Sequence, residues 1–337
     1  MNPTADLATD HQESRYFAAL DGMRGVLALG VVLLHLGFNS FAQRAFGWPG
    51  VVFELAVDVF FILSGFVLAH ALRRGSAIAP FAVRRCFRLL PVYYVTMLAA
   101  AVARGSPVPF ADWLVAAPLV GRSPVNFPAW SITWELYLPL AVVLVRLSPP
   151  RWAVRPLLAI LLVALAVTDI WVAGGSTLYG WRAGFGLAAG ALLYRARLKV
   201  SGPVEVWFAL LVLGMAAGQI LPLLAAIVPF AAAAAILAGR DGKSLFETAP
   251  FQWLGAISYT LYMVHIPVLA AAAALVGARI DANAGAKLAI LAASIAAAAV
   301  LTVVVERPAN RLGHRLSRRM TTQQGLASAL TQPIAEP

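Results

Sequence analysis

The sequence predicts an all-α, polytopic membrane protein of about ten transmembrane helices with both termini in the cytoplasm. Three observations carry that. Of 337 residues, 61% are hydrophobic and only 12% charged, with a mean hydropathy of +0.80, whereas an ordinary soluble domain is about a quarter charged. The apolar runs are long, unbroken and rich in Leu, Ala and Val. That suits helices, which satisfy their own backbone in lipid, and not the alternating pattern of a barrel. The basic residues are asymmetric. With the N-terminus inside, 19 of the 26 Lys and Arg fall in inner segments or at the inner ends of spans, five in outer segments or at an outer span end, and Arg24 and Arg182 deeper within spans, as the positive-inside rule requires.

Residues 1–17 form a cytoplasmic N-terminal segment. It holds Asp6, Asp10 and Glu13 and lacks the basic start of a cleaved signal, so the first helix is expected to be retained. The membrane domain covers 18–305, with spans at 18–38, 50–71, 86–103, 128–146, 154–172, 178–195, 203–219, 221–238, 252–277 and 284–305. Pro203, Pro222 and Pro229 blur spans six to eight, and seven and eight together also read as one broken hairpin. The longest outer loop, Arg104 to Phe127, contains Pro107, Pro109, Pro118 and Pro124 around an apolar piece, DWLVAAPLV. That piece is too short to cross and is expected to re-enter or lie along the interface. Alanine stretches at 231–235, 270–274 and 296–299 allow close helix packing. The tail, 306–337, begins basic, turns polar, and from Leu312 is expected to be largely disordered. No internal repeat of the transporter type is evident.

A net charge of +11 would suggest nucleic acid in a soluble chain; here inner-loop arginines explain it, and no nucleic-acid partner is expected. A single cysteine, Cys86, excludes an internal disulfide and a cysteine-rich metal site. The histidines lack the spacing of any metal motif, so no metal is expected.

The chemistry starts from Phe17–Phe38, FAALDGMRGVLALGVVLLHLGF, with Arg24 near its start and His35 near its end. Eleven residues make about three helical turns, so both side chains leave one face, about 16 Å apart along the axis. Ionisable groups inside a span usually face a protein interior or a wet cavity. The topology puts His35, Asp58, Glu135 and Arg182 in one outer layer. His35 reads either as a bundle hydrogen bond or as a general base taking a proton from a hydroxyl. Asp58 and Glu135 read either as structural partners of Arg182 or as the carboxylate that orients an imidazole, as in hydrolase triads. Arg24 is either a topogenic charge paired with Asp21 or part of a clamp. Arg84, Arg85 and Arg88 in FAVRRCFRLLP offer the same choice between lipid binding and a cytoplasmic phosphate clamp. His265 in ISYTLYMVHIPV is weighed as a structural hydrogen bond, and with Arg182 and Tyr259 as the lining of a substrate cavity.

With these residues in view, the chain resembles the acyltransferase 3 family of integral-membrane O-acyltransferases. The matching stretches are LDGMRGVLALGVVLLHL, VDVFFILSGFVLAH, RRCFRLLP, AWSITWELYL, LGAISYTLYMVHIPV and ERPANR, in order along residues 17–311. The resemblance implies transfer of an acyl group, commonly acetyl, from acyl-CoA to a hydroxyl on the far side of the cytoplasmic (inner) membrane. The implied acceptors are cell-envelope polysaccharides, other carbohydrates or glycoconjugates, or small molecules. By the resemblance His35 is the catalytic histidine, Arg24 its paired arginine, and Arg85 and Arg88 the donor-binding pair. Acetyl-CoA is then a co-substrate, with no permanently bound cofactor, and membrane lipid is the surrounding partner. The chain ends 32 residues after the tenth span, so no added extracytoplasmic domain is expected. A direct transfer and a covalent acyl-histidine are both compatible with this layout. Two rival functions are a carrier or channel with a proton or ion relay, and a relative that binds a glycan without catalysis.

Overall fold

Apolar sequence without water must close its hydrogen bonds within each segment, and every regular element among the described residues does so as a helix. The computed structural model describes residues 3–73, 78–115, 125–145, 149–175, 179–239, 243–277 and 283–330. The helices are α1 (Pro3–His35), α2 (Phe38–Phe46), α3 (Ala56–Arg73), α4 (Ile78–Arg104), a short α5 (Phe110–Trp113), α6 (Trp130–Val145), α7 (Arg151–Ala173), α8 (Tyr179–Ala196), α9 (Val204–Gly218), α10 (Ile227–Ala238), α11 (Ala249–Val276), α12 (Ala284–Leu301) and α13 (Arg307–Leu330).

Each of the ten predicted spans is occupied by a helix. Six apolar stretches are long enough to cross a membrane by length and composition: Phe17–His35, Phe53–Arg73, Ile78–Arg104, Arg151–Ala173, Ala249–Leu275 and Ala284–Thr322. The other four, α6 and α8 to α10, are shorter or carry charge. Spans seven and eight form two helices, α9 and α10, that fold back on one another through a turn at Pro222–Ala226.

Two helix pairs set the frame. Along α3 and α8, a Cβ added at Gly65 would lie 1.9 Å from the Leu187 carbonyl oxygen, and one at Gly190 would lie 1.9 Å from that of Ile62. Only glycine lets these backbones meet. The parallel pair α1 and α11 closes in the same way: a Cβ at Gly25 would lie 2.6 Å from the Gly255 nitrogen. The main core runs between these pairs, with Phe61, Phe66 and Tyr93 among its fully buried side chains.

One expectation changes, and one gains detail. The tail beyond Leu312, expected to lack structure, is helical as far as Leu330. There α13 packs on α4, with Gly313 against Phe87 and Arg84 hydrogen-bonded to Ser317 at 2.5 Å. The outer loop, in turn, folds onto α4 and α6. Tyr93 and Tyr94 donate to the carbonyls of Asp112 and Trp113, and Tyr137 and Thr133 to those of Leu114 and Val115. The rest of its apolar piece lies outside the described residues.

Candidate active site

α1 ends at His35 because Gly37 takes a left-handed φ of 68° and its N–H closes on the Leu34 carbonyl, the usual glycine stop. The carbonyl of Leu36 accepts from the ammonium of Lys287, a fully buried residue of α12. His35 is thereby held on the last turn of a rigid helix. Its Nδ1 lies 2.9 Å from the Val31 carbonyl and 3.3 Å from Nε2 of His265. The two rings are 5.0 Å apart. Nδ1 of His265 in turn lies 3.3 Å from the Leu261 carbonyl. The meeting follows from register: Gly25 touches Gly255, and ten residues further along both parallel helices the two imidazoles face each other.

A cavity of about 270 Å³ opens between α1, α3, α4, α6 and α11. Arg24, Arg85, Arg88, Glu135 and Tyr259 all line it, so the three arginines expected to hold the donor converge on one space. Arg85 is anchored: its Nε donates to the Glu135 carbonyl at 2.6 Å, and its guanidinium reaches Ser64 at 3.3 Å and the Glu135 carboxylate at 3.7 Å. Arg24 pairs with Asp21 at 3.2 Å. Arg88 is exposed. Tyr259 turns its hydroxyl away, to the Leu89 carbonyl at 2.6 Å.

Tyr262 joins the cavity to the histidines. It lines the cavity beside Ser131 and Phe60, donates to the Pro128 carbonyl and accepts from Ser131, and its ring lies 6.2 Å from that of His265. His265 and Arg182 themselves are not among the cavity's lining residues.

The predicted outer layer divides into three places. His35 meets His265. Glu135 sits with the donor arginines. Asp58 is locked to Arg182 by a buried two-pronged pair, Nε to Oδ1 at 2.8 Å and a terminal nitrogen to Oδ2 at 2.5 Å, with the same nitrogen reaching the Glu54 carbonyl. Trp130 stacks over that guanidinium at 5.6 Å. Among the described residues neither carboxylate hydrogen-bonds to His35.

Three residues escaped the sequence analysis. Lys287, near the outer end of the predicted tenth span, entered there only as one of the five outer basic residues. Asp169 of α7 is fully buried near Asp58 and Arg182, with both carboxyl oxygens lacking a hydrogen-bond partner among the described residues. Its signal is a lone acid in the apolar run VALAVTDIWVA. Tyr262 gave no signal beyond its place in an aromatic-rich span.

The acyltransferase domain model matches residues 17–305. The chain belongs to the acyltransferase 3 family. It is 29% identical over 318 residues to acyltransferase MdmB of Streptomyces mycarofaciens, covering 74% of this chain and 78% of that one. With protein 2 in the picA locus of Rhizobium radiobacter it shares 32% over 187 residues, 46% of this chain and 91% of the relative. Peptidoglycan O-acetyltransferase OatA of Listeria monocytogenes is 28% identical over 100 residues, 28% of this chain but only 15% of its own length. No solved structure matches the chain. By family this protein is therefore an O-acyltransferase, and the two-ended arrangement of arginine cavity and histidine pair is the part of it that chemistry must explain.

Proposed function

We propose that this acyltransferase 3 protein moves an acyl group, of the acetyl type, from acyl-CoA to a hydroxyl of a carbohydrate or other glycoconjugate, and that the two substrates arrive from opposite ends of α1. The observation that carries this is the convergence of Arg24, Arg85 and Arg88 on one cavity whose wall, Tyr262, stands against the histidine pair. Guanidinium groups suit phosphate because their donors match its oxygens in pairs. A volume of about 270 Å³ is at the small end for ligand pockets. It fits the narrow arm of a coenzyme thioester, with the phosphates held at the mouth by exposed Arg88.

His35 is the base. The acceptor oxygen forms a bond to the thioester carbonyl carbon as its proton passes to the imidazole. The carbon–sulfur bond then breaks, and the leaving thiolate takes the proton back from the imidazolium. Charge and atoms balance, and the histidine returns neutral. In this scheme Glu135 serves the donor site by holding Arg85. Asp58 serves the fold by neutralising Arg182, in place of the orienting carboxylate expected from the sequence. The OatA relative's name supports a peptidoglycan-like carbohydrate acceptor, and the cytoplasmic membrane is the natural location for a donor made inside the cell.

The test is His35→Ala in purified protein, with acetyl transfer and membrane insertion both measured. Loss of transfer by roughly 10²-fold or more, the usual worth of a positioned base, with normal insertion supports the scheme. Full transfer, or substrate flux without donor consumption, refutes it.

A further inference from the structure

The pair formed by His35 and His265 fixes more than position. A backbone carbonyl only accepts hydrogen bonds. The Leu261 carbonyl, 3.3 Å from Nδ1 of His265, therefore calls for a proton on that nitrogen. A neutral imidazole carries one N–H, so Nε2 of His265 holds a lone pair, and this nitrogen faces Nδ1 of His35 at 3.3 Å. Nδ1 of His35 also faces the Val31 carbonyl at 2.9 Å. Both neighbours of that nitrogen accept, so the proton of His35 resides there. Its Nε2 is left with the free lone pair, directed away from both anchors.

We infer that His265 is a positioning residue for His35: by accepting the Nδ1–H it holds the tautomer in which Nε2 receives the proton of the acceptor hydroxyl. This rests on the reading of His35 as the base. The work it does is that of the orienting carboxylate in a hydrolase triad, performed by a neutral group. A carboxylate would place a full charge inside the span, which is costly; a second imidazole orients without one. The scaffold is suited to the task. His265 is fully buried, α1 and α11 are locked by the Gly25–Gly255 approach one end away, and the ring of Phe127 closes the other side of His35 at 6.2 Å. Removal of His265 leaves the Val31 carbonyl as a single, local anchor. The His35 ring can then rotate about its side-chain bonds and exchange tautomers.

The experiment combines histidine-selective ¹⁵N magnetic resonance of the full chain in lipid nanodiscs with steady-state acetyl transfer. In the native protein His35 is expected to show a protonated Nδ1 and an unprotonated Nε2. His265→Leu is expected to lose that preference and to lower kcat by roughly 10²-fold, with KM for acetyl-CoA unchanged because the arginine cavity is intact. His265→Gln, whose amide oxygen can accept from Nδ1, is expected to recover much of the tautomer preference and of kcat. Thermal unfolding of each variant separates a folding defect from a positioning one. A native His35 protonated on Nε2, or a folded His265→Leu protein with native kcat, overturns the inference. Failure of the base assignment is distinguishable, because His35→Ala would then stay active while the tautomer signals remained as described.

Discussion

At the scale of single residues, partner geometry separates side chains that composition treats alike. Arg85 and Arg88 lie one turn apart on α4, yet Arg85 is tied to Glu135 and Ser64 whereas Arg88 is exposed at the cavity. Arg88→Ala is therefore expected to raise the KM for acetyl-CoA several-fold with little change in kcat or thermal stability. Arg85→Ala should raise KM and also lower stability, because it leaves the half-buried Glu135 without its counter-charge. Equal stability losses in the two variants would contradict that division. Arg182→Leu removes one partner of a buried pair, which costs about 3–5 kcal/mol, and unfolding in detergent should show it. The double variant Asp58→Leu with Arg182→Leu should recover part of the loss, because Asp58 is then not left buried without its counter-charge. At this scale the sequence was legible where the helix period decides: Arg24 and His35 share a face because eleven residues make about three turns. It was silent where the partner is remote. Asp58 and Arg182 are 124 residues apart, and nothing local in either stretch selects that pairing over one with His35.

At the scale of elements, glycine registers decide which helices meet, and through them which functional groups meet. Gly190 and Gly184 sit on the same helix, α8, but a Cβ at Gly190 would lie 1.9 Å from the Ile62 carbonyl oxygen, while one at Gly184 meets nothing within 4 Å. Gly190→Ala is expected to force α3 and α8 apart and cost about 1–3 kcal/mol or more, as overpacking does. Gly184→Ala should be neutral. Comparing their unfolding temperatures checks the packing directly, and equal behaviour would contradict it. The helices at the predicted spans were readable because long apolar runs have few alternatives to helix, and six of them are long and apolar enough to cross a membrane. The helix of the tail was not, because its sequence is polar and basic. Its order comes from tertiary contact with α4, at Gly313 against Phe87 and Ser317 against Arg84, which no local pattern announces.

At the scale of the whole molecule, the cavity and the histidine pair occupy different levels of one bundle, joined by Tyr262 and by the helices α1 and α11 that run through both. In the proposed topology the arginine end lies in the cytoplasm, as the positive-inside rule would have it, and the chemistry proposed for the two ends requires donor and acceptor to approach from opposite faces. In the proposed scheme, substrates held apart in this way need no separate carrier for the acyl group, and the coenzyme stays on the side on which it is made. The most direct measurement is sided transfer in proteoliposomes of defined orientation, with acetyl-CoA supplied on one side and a glycan acceptor on the other. The expected result is acetylation only when acetyl-CoA is on the Arg88 side and the acceptor on the His35 side, and its loss in His35→Ala. Equal acetylation with both substrates confined to one side of the membrane would contradict it.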